Sequence, residues 1–76
     1  MDSVYGWIRE ADFSAYGDSF VLMRELYIEY IYYCKTNGMT DICSDRLFSK
    51  ALQDYGFEIK YTKNGTSFRL SHRLNA

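Results

Sequence analysis

Val4, Trp7, Ile8 and Ala11 recur at helical spacing, which predicts a short amphipathic helix over residues 3–16 with Ser3 as its cap. Gly6 weakens that helix. The Tyr16-Gly17-Asp18-Ser19 stretch reads as a break, with Asp18 or Ser19 as the next N-cap. Residues 19–36 carry the strongest helical pattern. Phe20, Met23, Tyr27, Tyr30, Ile31 and Cys34 form one stripe, widened by Leu22, Leu26 and Tyr33, while Glu25, Glu29, Tyr32 and Thr36 form the wetter face. Asn37-Gly38 ends this helix, because glycine suits the left-handed position after a last turn.

Residues 39–43 read as a connector in which Ile42 pairs as a lone strand. Ser44 then caps a helix over 45–55, with Leu47, Phe48, Ala51, Leu52 and Tyr55 pointing inward and Gly56 terminating it. After Gly56 the period changes from 3.6 to 2. Phe57, Ile59 and Tyr61 alternate with Glu58, Lys60 and Thr62, and Phe68 and Leu70 alternate with Ser67, Arg69 and Ser71. Two such runs, 57–62 and 67–72, flank Lys63-Asn64-Gly65-Thr66. Asn-Gly in that place predicts a hairpin with a type I′ turn. The expected fold class is α+β, a small winged helix: N-terminal helices, one capped helix and a C-terminal β-hairpin as the wing. The whole chain, 1–76, reads as one domain, with 1–17 an additional helical segment and 18–76 the winged-helix core.

Composition adjusts this picture only slightly. Eight Tyr, five Phe and one Trp supply enough apolar area for a modest core in 76 residues. No run approaches the roughly 18 apolar residues of a membrane span, and the N-terminus lacks a signal-peptide layout, so the expected location is cytoplasmic. Cys34 and Cys43 are then expected as free thiols, and a single histidine, His72, gives no basis for a metal site or any cofactor. The net charge is −1, but it is unevenly spread. Residues 1–43 hold seven acidic side chains against Arg9, Arg24 and Lys35, a balance of −4. Residues 44–76 hold six basic ones against Asp45, Asp54 and Glu58, a balance of +3. Such a layout can present one basic face whatever the total.

The stretch from Leu26 to Leu74 resembles the C-terminal winged-helix domain of phage, plasmid and poxvirus D5-like primase–helicases. The likeness rests on Tyr27, Tyr30, Tyr33, Cys34, Asn37 and Gly38 in the first helix. It continues through Ser44, Phe48, Leu52, Gly56 and Phe57 in the second, and Gly65, Phe68 and Leu70 in the hairpin. An RFX-type winged helix has a more distant version of the first two elements. The resemblance implies the accessory DNA-binding domain of a phage or mobile-element replication or regulatory protein, without the primase or ATPase segments.

Two groups of side chains suit nucleic acid. Arg46, Ser49, Lys50 and Gln53 share one helix face at i, i+3, i+4 and i+7, where Arg and Gln can read base edges and Lys and Ser can hold phosphates. Lys60, Lys63, Asn64 and Arg69 decorate the hairpin, with Arg73 beyond it, and suit phosphate or minor-groove contact. The bland readings stand beside these: any solvated helix face looks alike, and charged strands deter edge-to-edge aggregation. Tyr27, Tyr30 and Tyr33 read as core. Ile28 and Tyr32 fall toward the polar face, where they can mark a protein contact, and Trp7 is either core or an interface anchor. No Ser-His-acid pattern, phosphate-cradling loop or carboxylate pair points to catalysis, and His72 reads as a surface residue. The expected function is a non-enzymatic winged-helix DNA-binding module. A protein-binding adaptor or inhibitor of a host or defence protein is the alternative, and a homodimer remains open.

Overall fold

The computed structural model describes residues 3–72. Its elements run α1 (Ser3–Ala11), β1 (Phe13–Leu22), α2 (Met23–Thr36), α3 (Asp45–Asp54), β2 (Ile59–Thr62) and β3 (Gly65–His72). The strands form one antiparallel sheet in the order β1-β3-β2. Three helices and a three-stranded antiparallel sheet make a small α+β unit compatible with a winged-helix-like fold. Two helices, α2 and α3, stand between α1 and the hairpin.

The largest departure from expectation is β1. The periodicity placed helix over 3–16, a break at 16–19 and helix from 19. Instead α1 stops at Ala11, and Asp12 takes a positive φ of 56°, a conformation that aspartate tolerates better than most residues. The chain then runs extended to Leu22. Ser19, Phe20, Val21 and Leu22 pair with Leu70, Arg69, Phe68 and Ser67. The reason lies in β3, an eight-residue central strand that β2 covers with only four residues on one side. Its other edge needs partners for its backbone groups, and β1 supplies them. Neither Asp18 nor Ser19 caps α2. Leu22 occupies that position without a side-chain cap.

Smaller corrections follow the same logic. The hairpin turn centres on Lys63-Asn64, since Thr62 pairs with Gly65. A type I′ turn is not formed, because Asp12 is the only non-glycine with positive φ among the described residues. Thr62 Oγ1 holds the turn, donating to the Gly65 carbonyl at 2.8 Å and accepting from the Asn64 amide at 3.2 Å. Ile42 makes no strand; it packs half-buried against the core. Leu47 and Tyr55 face outward rather than inward, and Phe20 lies on the outer face of the sheet. The predicted cap of α3 is present: Ser44 Oγ accepts from the Leu47 amide at 3.3 Å. Gly38 has the left-handed φ of 66° expected after α2.

The core centres on Phe48, which is fully buried. Its ring stacks on Tyr30 at 4.9 Å and meets Tyr27 at 5.3 Å and Trp7 at 5.4 Å. Phe68, Leu70, Leu26, Leu52 and Val4 close the remainder. One polar chain threads it. The Ser3 hydroxyl donates to the Asp41 carbonyl at 3.0 Å, so its contact with Tyr30 Oη at 2.7 Å receives the phenol proton. Tyr30 Oη in turn accepts from the Cys43 amide at 2.8 Å, and Tyr27 Oη donates to the Cys43 carbonyl at 2.7 Å. These phenols satisfy the 39–43 connector in place of a strand. Burial pushes the Tyr30 phenol well above its ordinary pKa, and burial followed by the nearby Asp45 charge also raises Tyr27.

Candidate nucleic-acid interface

The amphipathic pattern of α3 buries Phe48 and Leu52 and leaves the opposite side to solvent. Arg46, Lys50 and Gln53 are exposed on that side and Ser49 is half-buried. Lys50 Nζ lies 3.5 Å from Asp54 in an exposed i,i+4 pair, a contact of little energetic weight. Gln53 Nε2 donates to the Ser49 carbonyl at 3.4 Å. At the start of the helix Ser44, Arg46, Leu47 and Lys50 line a shallow depression of about 290 Å³. Arg46 and Lys50 therefore border one depression near the start of α3, while the Lys50 ammonium pairs with Asp54 at the other end of the helix.

The hairpin side chains divide by strand register. Ile59 pairs with Phe68, which places both on the core face and puts Lys60, Ser67 and Arg69 on the outer one. Lys60 Nζ sits 5.0 Å over the Phe20 ring. Arg69 is held by the fold: Nε donates to the Gly17 carbonyl and a terminal nitrogen meets Glu58 at 3.2 Å. It thus anchors β1 where its register shifts between Ser14 and Ser19. Lys63 and Asn64 are exposed at the turn. Arg24 reaches them from α2, donating to the Asn64 carbonyl at 3.4 Å, and a depression of about 190 Å³ lies between Arg24 and the turn. Arg73 and the side chain of His72 lie outside the described residues.

The nine nucleic-acid candidates therefore separate. Arg46 and Lys50 border one depression, Asn64 meets Arg24 at the hairpin tip beside the exposed Lys63, and Lys60 and Arg69 occupy the outer sheet face. Sequence reasoning missed three residues. Arg24 falls in the acidic half of the sequence, but its place on the first turn of α2 beside the hairpin joins it to the basic tip. Tyr61 continues the inward alternation of Phe57 and Ile59 but is 76% exposed, because the hairpin extends past the core. Leu47, 58% exposed, lines the same depression as Arg46 and Lys50.

The three protein-contact candidates also separate. Trp7 is only 3% exposed and packs on Phe13, Tyr30 and Phe48, so it is core rather than a projecting anchor. Ile28 and Tyr32 are 67% and 73% exposed on α2. Cys34 and Cys43 are free thiols. Among the described residues, no group of three or more His, Cys, Asp or Glu could hold a metal ion, and no helix is long and apolar enough to cross a membrane. A family model described as poxvirus D5 protein-like matches residues 1–74. No curated protein and no solved structure matches the chain.

Proposed function

The chain belongs to the poxvirus D5 protein-like family, which suggests a viral replication-related domain, and from that premise we propose a non-enzymatic winged-helix module that binds DNA. The observation that carries this reading is the exposed polar face of α3, on which Arg46 and Lys50 border one depression. A phosphate seated there meets Arg46, the Ser44 hydroxyl and the helix's first amides, and Lys50 reaches it by exchanging its exposed contact with Asp54. The basic hairpin tip, with Lys63 and Arg24, braces a second stretch of backbone, and Tyr61 offers an exposed ring for stacking or groove contact. Arg46 and Gln53 carry any sequence preference, and Lys50 and Lys63 act through phosphates.

A salt titration of binding to random duplex and single-stranded DNA tests this. Lys50→Ala with Lys63→Ala should weaken binding to all sequences alike and reduce the log–log salt slope by about 2, since each phosphate contact contributes roughly 0.9. Both side chains are exposed, so thermal stability should hardly change. A wild-type protein without salt-sensitive affinity for DNA at low ionic strength refutes the reading.

A further inference from the structure

The face built by α1 and α2 carries a second surface that shares no residue with α3 or the hairpin. A groove of about 500 Å³ runs between the two helices, lined by apolar parts of Trp7, Ala11, Ile28, Tyr32 and Tyr33. Ile28 and Tyr32 stand one turn apart and form its outer wall. Their exposure, 67% and 73%, is high for large apolar side chains placed side by side. Glu10 from α1 and Glu29 from α2 also line the groove, and no lysine or arginine does. Neither carboxylate has an ion-pair partner among the described residues. Arg9, the nearest cation in sequence to Glu10, lies over the Tyr5 ring at 5.8 Å.

An apolar floor between two unneutralised carboxylates selects the charge of what covers it. We propose that this groove docks a cationic amphipathic helix of a partner protein, with apolar side chains over Trp7, Ala11 and Tyr33 and lysines or arginines meeting Glu10 and Glu29. A helix fits better than an extended peptide, because the groove walls are helices whose backbone groups are already paired, so a strand finds no edge to extend. The acidic groove would reject nucleic acid by like charge, which keeps the two proposed surfaces separate in function.

The test uses two synthetic amphipathic helices, one of Leu and Lys and one of Leu and Glu, titrated against the intact chain. Affinity is read by fluorescence anisotropy of a labelled peptide. Location is read from the indole N–H signal of Trp7, the sole tryptophan. The Leu/Lys peptide should bind and shift the Trp7 signal, and the Leu/Glu peptide should not. Ile28→Ser with Tyr32→Ser should weaken binding by about tenfold or more, because it replaces the exposed apolar wall of the groove with polar side chains. Glu10→Lys with Glu29→Lys should reverse the preference toward the Leu/Glu peptide, a result no merely structural role of these exposed carboxylates produces. Lys50→Ala with Lys63→Ala should leave peptide binding unchanged, whatever becomes of DNA affinity. Equal binding of both peptides, absence of binding, or binding that ignores the charge reversal overturns the proposal. So does self-association that Tyr32→Ser abolishes in sedimentation, since the occupant is then a second copy of this chain.

Discussion

Tyr30→Phe removes one oxygen from the core and opens the polar chain that fastens the 39–43 connector. Two hydrogen bonds go with it, the one from the Cys43 amide and the one to Ser3 Oγ. The ring stays in place against Phe48, so almost no apolar contact is lost. The Ser3 hydroxyl keeps its bond to the Asp41 carbonyl and loses only a donor. The Cys43 amide loses its acceptor in a part-buried position, which costs about 1–3 kcal/mol, and the second bond adds about 1 kcal/mol. The sum, about 2–4 kcal/mol, is a large share of the stability of a small domain. It corresponds to a fall in Tm of roughly 8–32 °C at about 4–8 °C per kcal/mol. Urea and thermal unfolding followed by circular dichroism measure it, with Ser3→Ala, which leaves the Tyr30 phenol without its acceptor, as a companion.

Alkaline pH gives an independent check. Burial raises the folded-state pKa of Tyr30, so the folded protein holds this proton when the unfolded chain, with an ordinary value near 10, has released it. The stabilisation is complete below about pH 10 and is lost as pH rises toward the folded pKa, at about 1.4 kcal/mol per pH unit. The gap between wild type and Tyr30→Phe should therefore narrow above pH 10. Tyr27, also raised, remains in both proteins and cancels in the comparison. A loss below about 0.5 kcal/mol at neutral pH refutes the hydrogen-bond account, and a gap that stays constant into alkali refutes the burial of the Tyr30 phenol.

Two further substitutions probe packing. Phe48→Ala should cost about 3–5 kcal/mol, because the ring is fully buried among Trp7, Tyr27 and Tyr30, and a loss under about 1 kcal/mol in urea unfolding contradicts its central place. Gly6→Ala should fail to deliver the roughly 0.5–1 kcal/mol that alanine adds to a helix interior, since its Cβ would lie 2.9 Å from the Tyr33 hydroxyl; in a Tyr33→Phe background that gain should return, and an equal gain in both backgrounds rules out the clash.

Local chemistry made much of this molecule legible in its sequence. Ser44, Phe48, Leu52 and Gly56 mark α3 by cap, apolar period and terminator, all of which act within a few residues of one another. Gly38 after α2 and the alternation around Lys63-Asn64-Gly65 are likewise local. The exposure of Arg46, Lys50, Gln53, Ile28 and Tyr32 followed from helical phase alone. What the tertiary structure decided concerns partners far apart in the chain. Phe20-Val21-Leu22 suits a helix stripe or a strand equally well, and the open edge of β3, some fifty residues on, settled it. Arg69 looked like any hairpin cation until the fold brought the Gly17 carbonyl to it. Tyr61, Leu47 and Tyr55 sit on apolar phases yet reach solvent, because periodicity tells which side of an element is apolar but not where the core stops. The groove beside Tyr32 exists only because α1 packs against α2, where Gly6 leaves room for the Tyr33 hydroxyl. Its carboxylates come from two helices that no sequence spacing connects, since such a surface depends on packing between elements and not on order along the chain.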